Sequence, residues 1–285
     1  MFLLTYLRTV MPMIFPRSSV KMNRSRAAEE GVRMAKRVGV VILGDEVLKA
    51  EIREANLAYI LPLLNEWGAE VALCAILPDI VPIVVRHLRA YLEEVDFLVL
   101  TGGIGPTPDD ITREAVAKVA GVPLIVHPTA YAQLAAYYKE RMNEYRMLMA
   151  QVPEGAVLIP NPVSIAPGFY IARMAAFPGI PGLLREMFGW LKPLVEGKRK
   201  SRVTLFSDVP ESAFAGVMKE AMDAFPDVSV GSYPMIEGEY RVRVVFRAGG
   251  FARAAGCADF FTARFLAAGR KISRREEERG EDEKS

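Results

Sequence analysis

Five acidic side chains follow three separate apolar runs of this sequence, at positions where parallel strands would end. They are Asp45, Glu46, Asp79, Asp109 and Asp110. Carboxylates hold hard divalent cations such as Mg²⁺, and a carboxylate can also orient or deprotonate an attacking water. A cation held this way neutralises the charge of a phosphate. These residue types therefore indicate metal-assisted chemistry on a phosphorylated substrate.

A glycine-rich stretch stands next to the last two carboxylates. Residues 101–112 read TGGIGPTPDDIT, after an apolar run that predicts a buried parallel strand and before a helix predicted over residues 113–120. Gly102, Gly103 and Gly105 let the backbone turn sharply and let a ligand approach the main chain. A strand, a glycine turn and a helix N-terminus together form an anion site. We therefore predict that these three glycines bind phosphate.

The pair Asp109 and Asp110 has one carboxylate more than a helix start requires. Thr107, Pro108 and Asp110 predict that start, with a hydroxyl cap, a proline in the first turn and a carboxylate that reaches back. A divalent cation between the two carboxylates and a pyrophosphate would explain the pair. We therefore predict Asp109, Asp110 and Glu46 as metal ligands. Helix capping alone, which contributes about 0.3–1 kcal/mol per carboxylate, is the alternative.

Alternating strands and helices position these residues. The apolar patterns predict strands at residues 38–43, 71–77 and 96–101, and helices at residues 56–67, 78–94 and 113–120. This order predicts an α/β fold, a three-layer mostly parallel sheet with helices on both faces. Ligands bind beyond the carboxyl ends of such strands. The three acidic positions are therefore expected to meet at one rim.

The second half of the chain predicts a change of architecture. A long helix is predicted over residues 129–151, a hairpin over 169–177 and a linker at 196–200. Beyond the linker, the patterns predict a small α+β domain in βαββα order, with strands at 202–208, 228–233 and 240–247 and helices at 211–225 and 252–268. Its third strand alternates valine with Arg241, Arg243 and Arg247. A solvated face is the first interpretation of these arginines, and a binding role is the alternative.

Composition limits the classes of function. The chain has 285 residues and a formal net charge of +2, which gives no reason to expect nucleic acid or an acidic membrane as a partner. Cys74 and Cys257 lie far apart in apolar surroundings, so we predict buried free thiols. His87 and His127 are the only histidines, so any metal would be a hard ion with oxygen ligands. We expect a cytoplasmic protein.

The predicted domain boundaries leave charged or irregular segments at both ends. Residues 1–35 are predicted to be a disordered extension, because their apolar part is too short to span a bilayer. A membrane-surface anchor is the alternative. The nucleotide-binding domain is predicted over residues 36–197, the small domain over 198–269, and a disordered charged tail over 270–285.

Several blocks of the sequence together resemble one family. The Gly44-Asp45-Glu46 turn and residues 101–112, which are similar to the pattern TGGxGPTxDDxT, resemble the MoaB/Mog-like molybdopterin-binding superfamily. Within it, the chain looks most like the N-terminal part of CinA-type proteins and the related domain of FAD synthases. Blocks at residues 151–155, 161–168 and 178–181 are similar in the same order. The last domain is similar in layout to the KH-like segment of CinA-type chains.

The resemblance implies a fold and a set of activities. CinA-type domains are associated with metal-dependent hydrolysis of ADP-ribose and related nucleotide pyrophosphates, which releases AMP. An FAD-like substrate is equally implied, with Mg²⁺ or another divalent cation as cofactor. The Mog branch instead adenylylates molybdopterin, so a molybdopterin-binding protein or adenylyltransferase is the alternative. A non-catalytic nucleotide-binding module is a further alternative. Because relatives are commonly oligomeric, a homo-oligomer is expected.

The resemblance also implies roles for individual residues. By position, Asp79 matches an acidic catalytic position of the Mog branch, Asp110 matches the motif aspartate, and Asp45 and Glu46 match the GDE turn. Asp79, Asp110 and Asp45 are therefore the expected catalytic residues. The expected substrate-binding residues are Gly102, Gly103, Gly105, Thr107, Asn56, Asn161, Ser164 and Gly168.

Structural alternatives exist for several of these residues. Asp45 suits a turn, Asp79 suits the N-cap of the following helix, and Thr107 suits a structural cap. Asn161 and Ser164 suit the stabilisation of their own loop.

The chain departs from the family pattern at four places, all on the base- or sugar-binding side. Ala50 stands where glycine is usual, and Leu183 stands where glutamate is usual. Residues 54–55 are Glu-Ala in place of Asn-Thr, and residues 164–165 are Ser-Ile in place of Gly-Thr. The phosphate-binding half keeps the family pattern, so we expect any change of substrate to lie on the other side.

Overall fold

The computed structural model describes residues 35–280. Their strands are β1 (Arg37–Leu43), β2 (Glu70–Leu77), β3 (Phe97–Thr101), β4 (Leu124–Val126), β5 (Gln151–Pro153), β6 (Val157–Ile159), β7 (Gly168–Ile171), β8 (Met174–Phe177), β9 (Ser201–Ser207), β10 (Ser229–Pro234), β11 (Val242–Ala248) and β12 (Arg274–Glu278). Their α-helices are α1 (Asp45–Leu48), α2 (Leu57–Glu66), α3 (Val81–Glu94), α4 (Thr112–Ala120), α5 (Pro128–Tyr138), α6 (Glu144–Leu148), α7 (Pro181–Phe188), α8 (Lys192–Val195), α9 (Ala215–Ala224) and α10 (Phe251–Ala267).

A six-stranded sheet in the order β2-β1-β3-β8-β7-β6 forms the centre of the first domain. Strands β2, β1, β3 and β8 run parallel, and β7 and β6 continue the sheet with antiparallel pairing. The predicted α/β class with a mostly parallel sheet is confirmed. Strands β4 and β5 form a separate antiparallel pair.

Helices cover both faces of this sheet, because successive side chains of a strand point to opposite faces. Leu98 and Leu100 of β3 share one core cluster with Leu88 of α3 and Val116 of α4. On the other face, Phe188 of α7 packs against Phe177 of β8 and stacks on Trp67, with ring centroids 5.5 and 5.4 Å apart. The carboxyl ends of β1 and β3 are thereby fixed between two layers of helices.

The long helix predicted over residues 129–151 is wrong. Helix α5 ends at Tyr138, a 3₁₀ turn follows at Lys139–Arg141, and α6 is a separate helix. Lys139 has a φ of 48°, a left-handed conformation that no α-helix continues through. Asn143 then caps α6, since its side chain accepts a hydrogen bond from Arg146 N at 2.9 Å. The asparagine was a sequence signal for a new helix start.

Two smaller predictions also need correction, and a third falls outside the described residues. The acidic turn after β1 is the first turn of helix α1, since Lys49 N donates to Asp45 O. Cys74 is exposed on the edge strand β2, whereas Cys257 is buried as predicted. The predicted N-terminal extension lies outside the described residues except for Ala35. Within residues 35–280, no helix combines the length and apolar character needed to cross a bilayer.

The second domain contains a four-stranded antiparallel sheet in the order β10-β11-β9-β12. The predicted βαββα elements are all present, and a fourth strand, β12, follows them. The prediction of a disordered tail over residues 270–285 is therefore wrong for residues 274–278, which pair with β9. Charged side chains along β12 find partners on neighbouring elements, as Glu278 does with Arg202 and Arg275 with Asp259. Residues 281–285 lie outside the described part.

The hairpin between β7 and β8 turns through two residues in left-handed backbone conformation. Ala172 has a φ of 48° and Arg173 a φ of 66°. Positive φ at both positions is characteristic of the type I′ turn, which favours Asn-Gly. The Arg173 guanidinium donates to the carbonyls of Val95 and Leu92, at 3.0 Å each, and ties the turn to the end of α3. These bonds compensate for a non-glycine residue in the turn.

Ala172→Asn is expected to stabilise the protein, because asparagine tolerates left-handed backbone better than alanine. The expected rise in Tm is about 1–3 °C. Ala172→Val is the matched control and should lower Tm, since a β-branched residue is disfavoured at positive φ. Thermal unfolding followed by circular dichroism measures both variants. A lower Tm for Ala172→Asn would contradict the type I′ assignment.

Candidate functional site

A cavity of about 630 Å³ opens at the carboxyl ends of β1 and β3. Its walls come from the segment between β1 and α2, from the loop at residues 102–110, and from the loops before β7 and α7. The predicted site residues that line it are Glu46, Asn56, Gly102, Gly103, Gly105, Asp110, Asn161 and Ser164. The predicted site residues outside its lining are Asp45, Asp79, Thr107, Asp109 and Gly168.

Residues 102–110, here called the glycine loop, approach the main chain of β1 closely. Gly102 has a φ of 100°, and a Cβ atom there would lie 2.0 Å from Leu43 O. Gly103 has a φ of 63°, and its Cβ would lie 2.4 Å from Thr112 Oγ1. Both positions therefore require glycine for conformation and for space.

The carbonyl groups of residues 102–105 accept hydrogen bonds from the start of helix α4. Thr112 Oγ1 donates to Gly102 O at 2.8 Å, and Thr112 N donates to Gly103 O at 3.0 Å. The Arg113 guanidinium donates to the carbonyls of Ile104 and Gly105. In a trans peptide, each N–H points away from the preceding C=O. The N–H groups of Gly103 and Ile104 therefore point away from α4.

Arg113 is a buried cation beneath the glycine loop that sequence reasoning did not identify. Its residue surface is only 4% exposed. Burial lowers the pKa of Arg113 to about 10, although neighbouring Asp110 acts in the opposite direction, so the side chain stays charged at neutral pH. A buried charge under the loop adds positive potential at the N–H groups of Gly103 and Ile104.

Asp110 folds back onto the glycine loop. Its Oδ1 accepts from Gly105 N at 2.6 Å, and its Oδ2 accepts from Thr107 N at 2.8 Å and Thr107 Oγ1 at 2.5 Å. The predicted capping contacts between Thr107 and Asp110 therefore exist. They close a turn, however, because α4 begins only at Thr112, with Ile111 at its N-cap. The predicted helix start at Thr107 is wrong by one turn.

Asp45 and Asp79 hold each other through reciprocal hydrogen bonds. Asp45 N donates to Asp79 Oδ2 at 2.8 Å, and Asp79 N donates to Asp45 Oδ1 at 3.2 Å. A hydrogen bond from Lys49 Nζ, at 2.9 Å, lowers the pKa of Asp45, and the bond from Asp79 N adds to this effect. Burial raises the pKa of Asp79, and the charge of nearby Glu46 raises it further. The two side chains thus differ in acidity: Asp45 is the ionised carboxylate, and Asp79 is the less acidic carboxyl.

The described residues include carboxylates that could bind a cation, but these carboxylates do not form a complete set of metal ligands. Among residues 35–280, no three His, Cys, Asp or Glu side chains are grouped so that they could share a metal ion. Asp79 Oδ1 is buried and has no hydrogen-bond partner in that part of the chain. Asp109 is exposed, and a hydrogen bond from Thr107 lowers its pKa. The arrangement suits an ion that arrives with its phosphate ligand, because Mg²⁺ commonly uses only one or two carboxylates.

Asn56 presents a free acceptor to the cavity. It is only 5% exposed, and its Nδ2 donates to Thr101 Oγ1 at 3.1 Å and Gly179 O at 2.8 Å. Its Oδ1 is buried and has no partner among the described residues. Glu54 caps helix α2 in its place, since Glu54 Oε1 accepts from Asn56 N at 2.6 Å and Leu57 N at 3.1 Å. Because Glu54 caps the helix, the Asn56 Oδ1 atom has no donor from the helix start and stays without a partner among the described residues.

Asn161 and Gly168 have structural contacts. Asn161 Nδ2 donates to Ser164 Oγ and Ala166 O, and its Oδ1 accepts from the amides of Val163 and Ser164. These bonds fix the loop that forms one cavity wall. Gly168 is buried in β7, where a Cβ would lie 2.5 Å from Ala176 O.

Two further arginines line the cavity and were missed from the sequence. Arg53 makes no hydrogen bond or ion pair within residues 35–280 and is exposed at the wall. Arg146 of α6 lies 4.5 Å from the centroid of the Tyr138 ring, which also lines the cavity. Neither residue lies in a motif, and the approach of Arg146 to the cavity depends on the break between α5 and α6. A sequence pattern carries no signal for this convergence.

Two of the departures from the family pattern lie at strained backbone. Ala50 has a φ of 58°, so the usual glycine at this position has a conformational reason. Ile165 has a φ of 67°, which is rare for a β-branched residue. Both lie close in sequence to residues that line the cavity.

Comparisons with known proteins agree with this architecture. Residues 39–197 match the family described as "Probable molybdopterin binding domain", and residues 201–269 match the family described as "FAD synthase, middle domain". The crystal structure of the protein CinA from Thermoplasma acidophilum, described as of unknown function, is 30% identical with a TM-score of 0.54. The alignment covers 56% of this chain and 99% of that one.

Two sequence relatives extend the comparison. A protein of Pyrobaculum calidifontis is 32% identical over 208 residues, which are 68% of this chain and 79% of the relative. A CinA-like protein of Fusobacterium nucleatum is 37% identical over 154 residues, which are 53% of this chain and 38% of the relative. The chain therefore belongs to the MoaB/Mog-like molybdopterin-binding family, with a CinA-like N-terminal domain followed by a domain of the FAD-synthase middle-domain family.

Proposed function

We propose that the chain is a metal-dependent nucleotide pyrophosphate hydrolase that releases AMP from a substrate of the ADP-ribose or FAD type. One observation carries the proposal: the N–H groups of Gly103 and Ile104 point away from α4 and have no hydrogen-bond partner among the described residues. Both residues line the cavity, and buried Arg113 lies beneath them. Free amides over a buried cation are the arrangement that an anionic phosphate requires.

The rest of the cavity suits a flat ring system. Its volume of about 630 Å³ lies within the range of about 300–1,000 Å³ for small-molecule sites. Tyr138, Met149 and Ile180 contribute an aromatic ring and apolar side chains to the walls. Asn56 Oδ1 can accept a hydrogen bond from a base or a ribose hydroxyl. Arg53 and Arg146 supply two cations for the charge of the diphosphate.

The residues fit a divalent cation that the substrate brings with it. Glu46 and Asp110 line the cavity, and Asp110 Oδ1, with one loop donor, keeps a lone pair. These carboxylates would hold the ion. When bound, it would neutralise the charge that grows on the phosphoryl oxygens.

Asp79 lies outside the cavity lining but close to Glu46, which lines the cavity, and we assign Asp79 to the attacking water. Its raised pKa makes it a better proton acceptor than an exposed aspartate. Asp45, whose pKa is lowered, stays ionised and holds Asp79 in place through the reciprocal amide bonds. The water oxygen attacks the phosphorus of the AMP group, and its proton passes to Asp79. The anhydride P–O bond breaks, and the other phosphate of the substrate leaves with the bridging oxygen and the electron pair of that bond.

Release of AMP tests this function. Purified protein is incubated with ADP-ribose or FAD, with and without MgCl₂, and AMP is separated by chromatography. Saturating substrate should raise Tm by about 5–10 °C at a hundredfold excess over Kd. Glu46→Gln should lower AMP release, whereas the surface variant Asp223→Asn should not. Absence of AMP with every divalent ion, from folded protein, would rule out the hydrolase.

A second candidate is a molybdopterin-binding protein or adenylyltransferase, favoured by the family matched over residues 39–197. The same loop would hold the pterin phosphate, and ATP would be the nucleotide. Incubation with ATP, Mg²⁺ and molybdopterin discriminates the two, because only the transferase gives an adenylylated pterin. Tight nucleotide binding without any turnover would instead identify a non-catalytic module.

A further inference from the structure

One face of the second domain's sheet packs against helix α10, and the opposite face, here called the open face, keeps Thr204 and Val245 buried at its centre. Val203 of β9 and Val244 and Phe246 of β11 pack in one core cluster with Phe261 of α10. Side chains at alternate positions point to the opposite face of a sheet. The open face therefore carries the even-numbered positions of β9 and the odd-numbered positions of β11.

Four side chains form a row across the open face. Tyr233 of β10 pairs with Arg243 of β11, Arg243 pairs with Phe206 of β9, and Phe206 pairs with Arg274 of β12. Neighbouring strands lie about 4.8 Å apart, so the row spans roughly 14 Å. The Arg243 guanidinium lies 5.1 Å from the Tyr233 ring centroid, and that of Arg274 lies 5.7 Å from the Phe206 centroid. We call these four residues the aromatic–arginine row.

Positive charge on this face concentrates at β11. Arg243 and Arg247 have no carboxylate partner within residues 35–280, and Arg247 Nη1 lies 3.4 Å from the Tyr233 hydroxyl. Towards the β12 edge of the same face, Arg202 and Arg274 are paired with Glu278 and Glu276. The formal net charge of +2 averages over the whole chain and hides this local excess.

We propose that the open face of the second sheet binds single-stranded nucleic acid. Exposed aromatic rings stack on bases of any sequence, and Arg adds cation–π contacts. Unpaired guanidinium groups replace the counterions of phosphates. Tyr233 is 39% exposed, so it is accessible to an unstacked base. A four-stranded sheet with aromatics on its open face presents such a platform.

The test measures the fluorescence anisotropy of a labelled oligouridylate of about 12 nucleotides with the full chain at low salt. The face variant is Arg243→Ala with Arg247→Ala. The matched control is Arg253→Ala with Arg264→Ala on α10, which removes the same charge from the covered side, where the two arginines pair with Asp227 and Glu220. The face variant should bind at least about tenfold more weakly, and the control should stay near the parent. Circular dichroism confirms that both are folded.

A second measurement separates stacking from charge. Tyr233→Ala should weaken binding by at least about fivefold without changing the dependence on salt. The face variant should reduce the slope of log K against log salt by roughly 1.4, or 0.7 per arginine. The proposal would be overturned if the face and control variants lost the same affinity, or if the parent did not bind at low salt. It would also be overturned if the parent bound a double-stranded oligonucleotide as tightly as the single strand. These variants change no residue of the cavity. The AMP-release test of the proposed hydrolase can therefore fail or succeed independently of the nucleic-acid test.

Discussion

Asp79→Asn is expected to lower AMP release by about two to four orders of magnitude and to raise the free energy of unfolding at neutral pH. Activity falls because an amide cannot accept the proton of the attacking water. Stability rises because the Asp79 carboxylate is partly buried and faces the charges of Glu46, Asp45 and Asp109. The amide oxygen can still accept the hydrogen bond from Asp45 N. The variant thus separates the destabilisation that the Asp79 charge causes from the role of that charge in catalysis.

The pH dependence of the stability gain has a definite sign. The pKa of Asp79 is raised by burial above its ordinary value of 3.8, so the folded state favours the protonated carboxyl. Its contribution to stability is complete below 3.8 and is lost as pH rises through the raised pKa. The advantage of Asp79→Asn should therefore be absent below pH 3.8 and should appear as pH rises above it. Urea unfolding at acid and neutral pH measures this difference.

Asp45→Asn is the matched control, with the same substitution on the neighbouring carboxyl. The hydrogen bond from Lys49 lowers the pKa of Asp45, so the folded state favours its charge. Its loss should destabilise the protein at neutral pH and have little effect at acid pH. General disruption of the structure would lower the stability of both variants. Stability changes of opposite sign at two carboxyls that share reciprocal bonds would therefore be difficult to explain in that way. Equal destabilisation by both variants, or full activity of Asp79→Asn, would contradict the assignment.

The strands and the glycine loop were predictable because their signals are local. An apolar run before TGGIGP requires a buried strand and a turn, and both Gly102 and Gly103 have the positive φ that such a turn uses. The convergence of Asp45 with Asp79 was predictable because the carboxyl ends of parallel strands meet at one edge. The break after Tyr138 occurs at Lys139 and Asn143. The prediction of one long helix followed the apolar pattern and gave these two residues too little weight.

The remaining features depend on side-chain direction and on long-range pairing. Asp110 has the residue type of a metal ligand, yet its direction is set by Gly105 and Thr107 amides that a pattern cannot position. Strand β12 looks like a charged tail, because its stabilising partners are as distant as Arg202. Arg113 follows a helix start, where an arginine is usually solvated. Its burial results from loop carbonyls that need a donor.

Arg113→Met is expected to lower the free energy of unfolding by about 2–4 kcal/mol, because the carbonyls of Ile104 and Gly105 lose their donor. The corresponding fall in Tm is about 5–15 °C. The change also removes the buried positive charge beneath the N–H groups of Gly103 and Ile104, so the Tm rise with substrate should be lost. Thermal unfolding with and without ADP-ribose and MgCl₂ measures both effects.

Two further variants show whether these effects depend on the guanidinium itself. Arg113→Lys keeps the charge, but one ammonium group lacks the planar fork that reaches both carbonyls, so its stability should lie between the parent and Arg113→Met. Arg89 donates to one backbone carbonyl, Lys118 O, from the surface of α3. Arg89→Met should change stability by no more than about 0.5 kcal/mol. If Arg113→Met kept the Tm and the substrate response of the parent, the glycine loop would hold its amides without the guanidinium, and the anion site would have another origin.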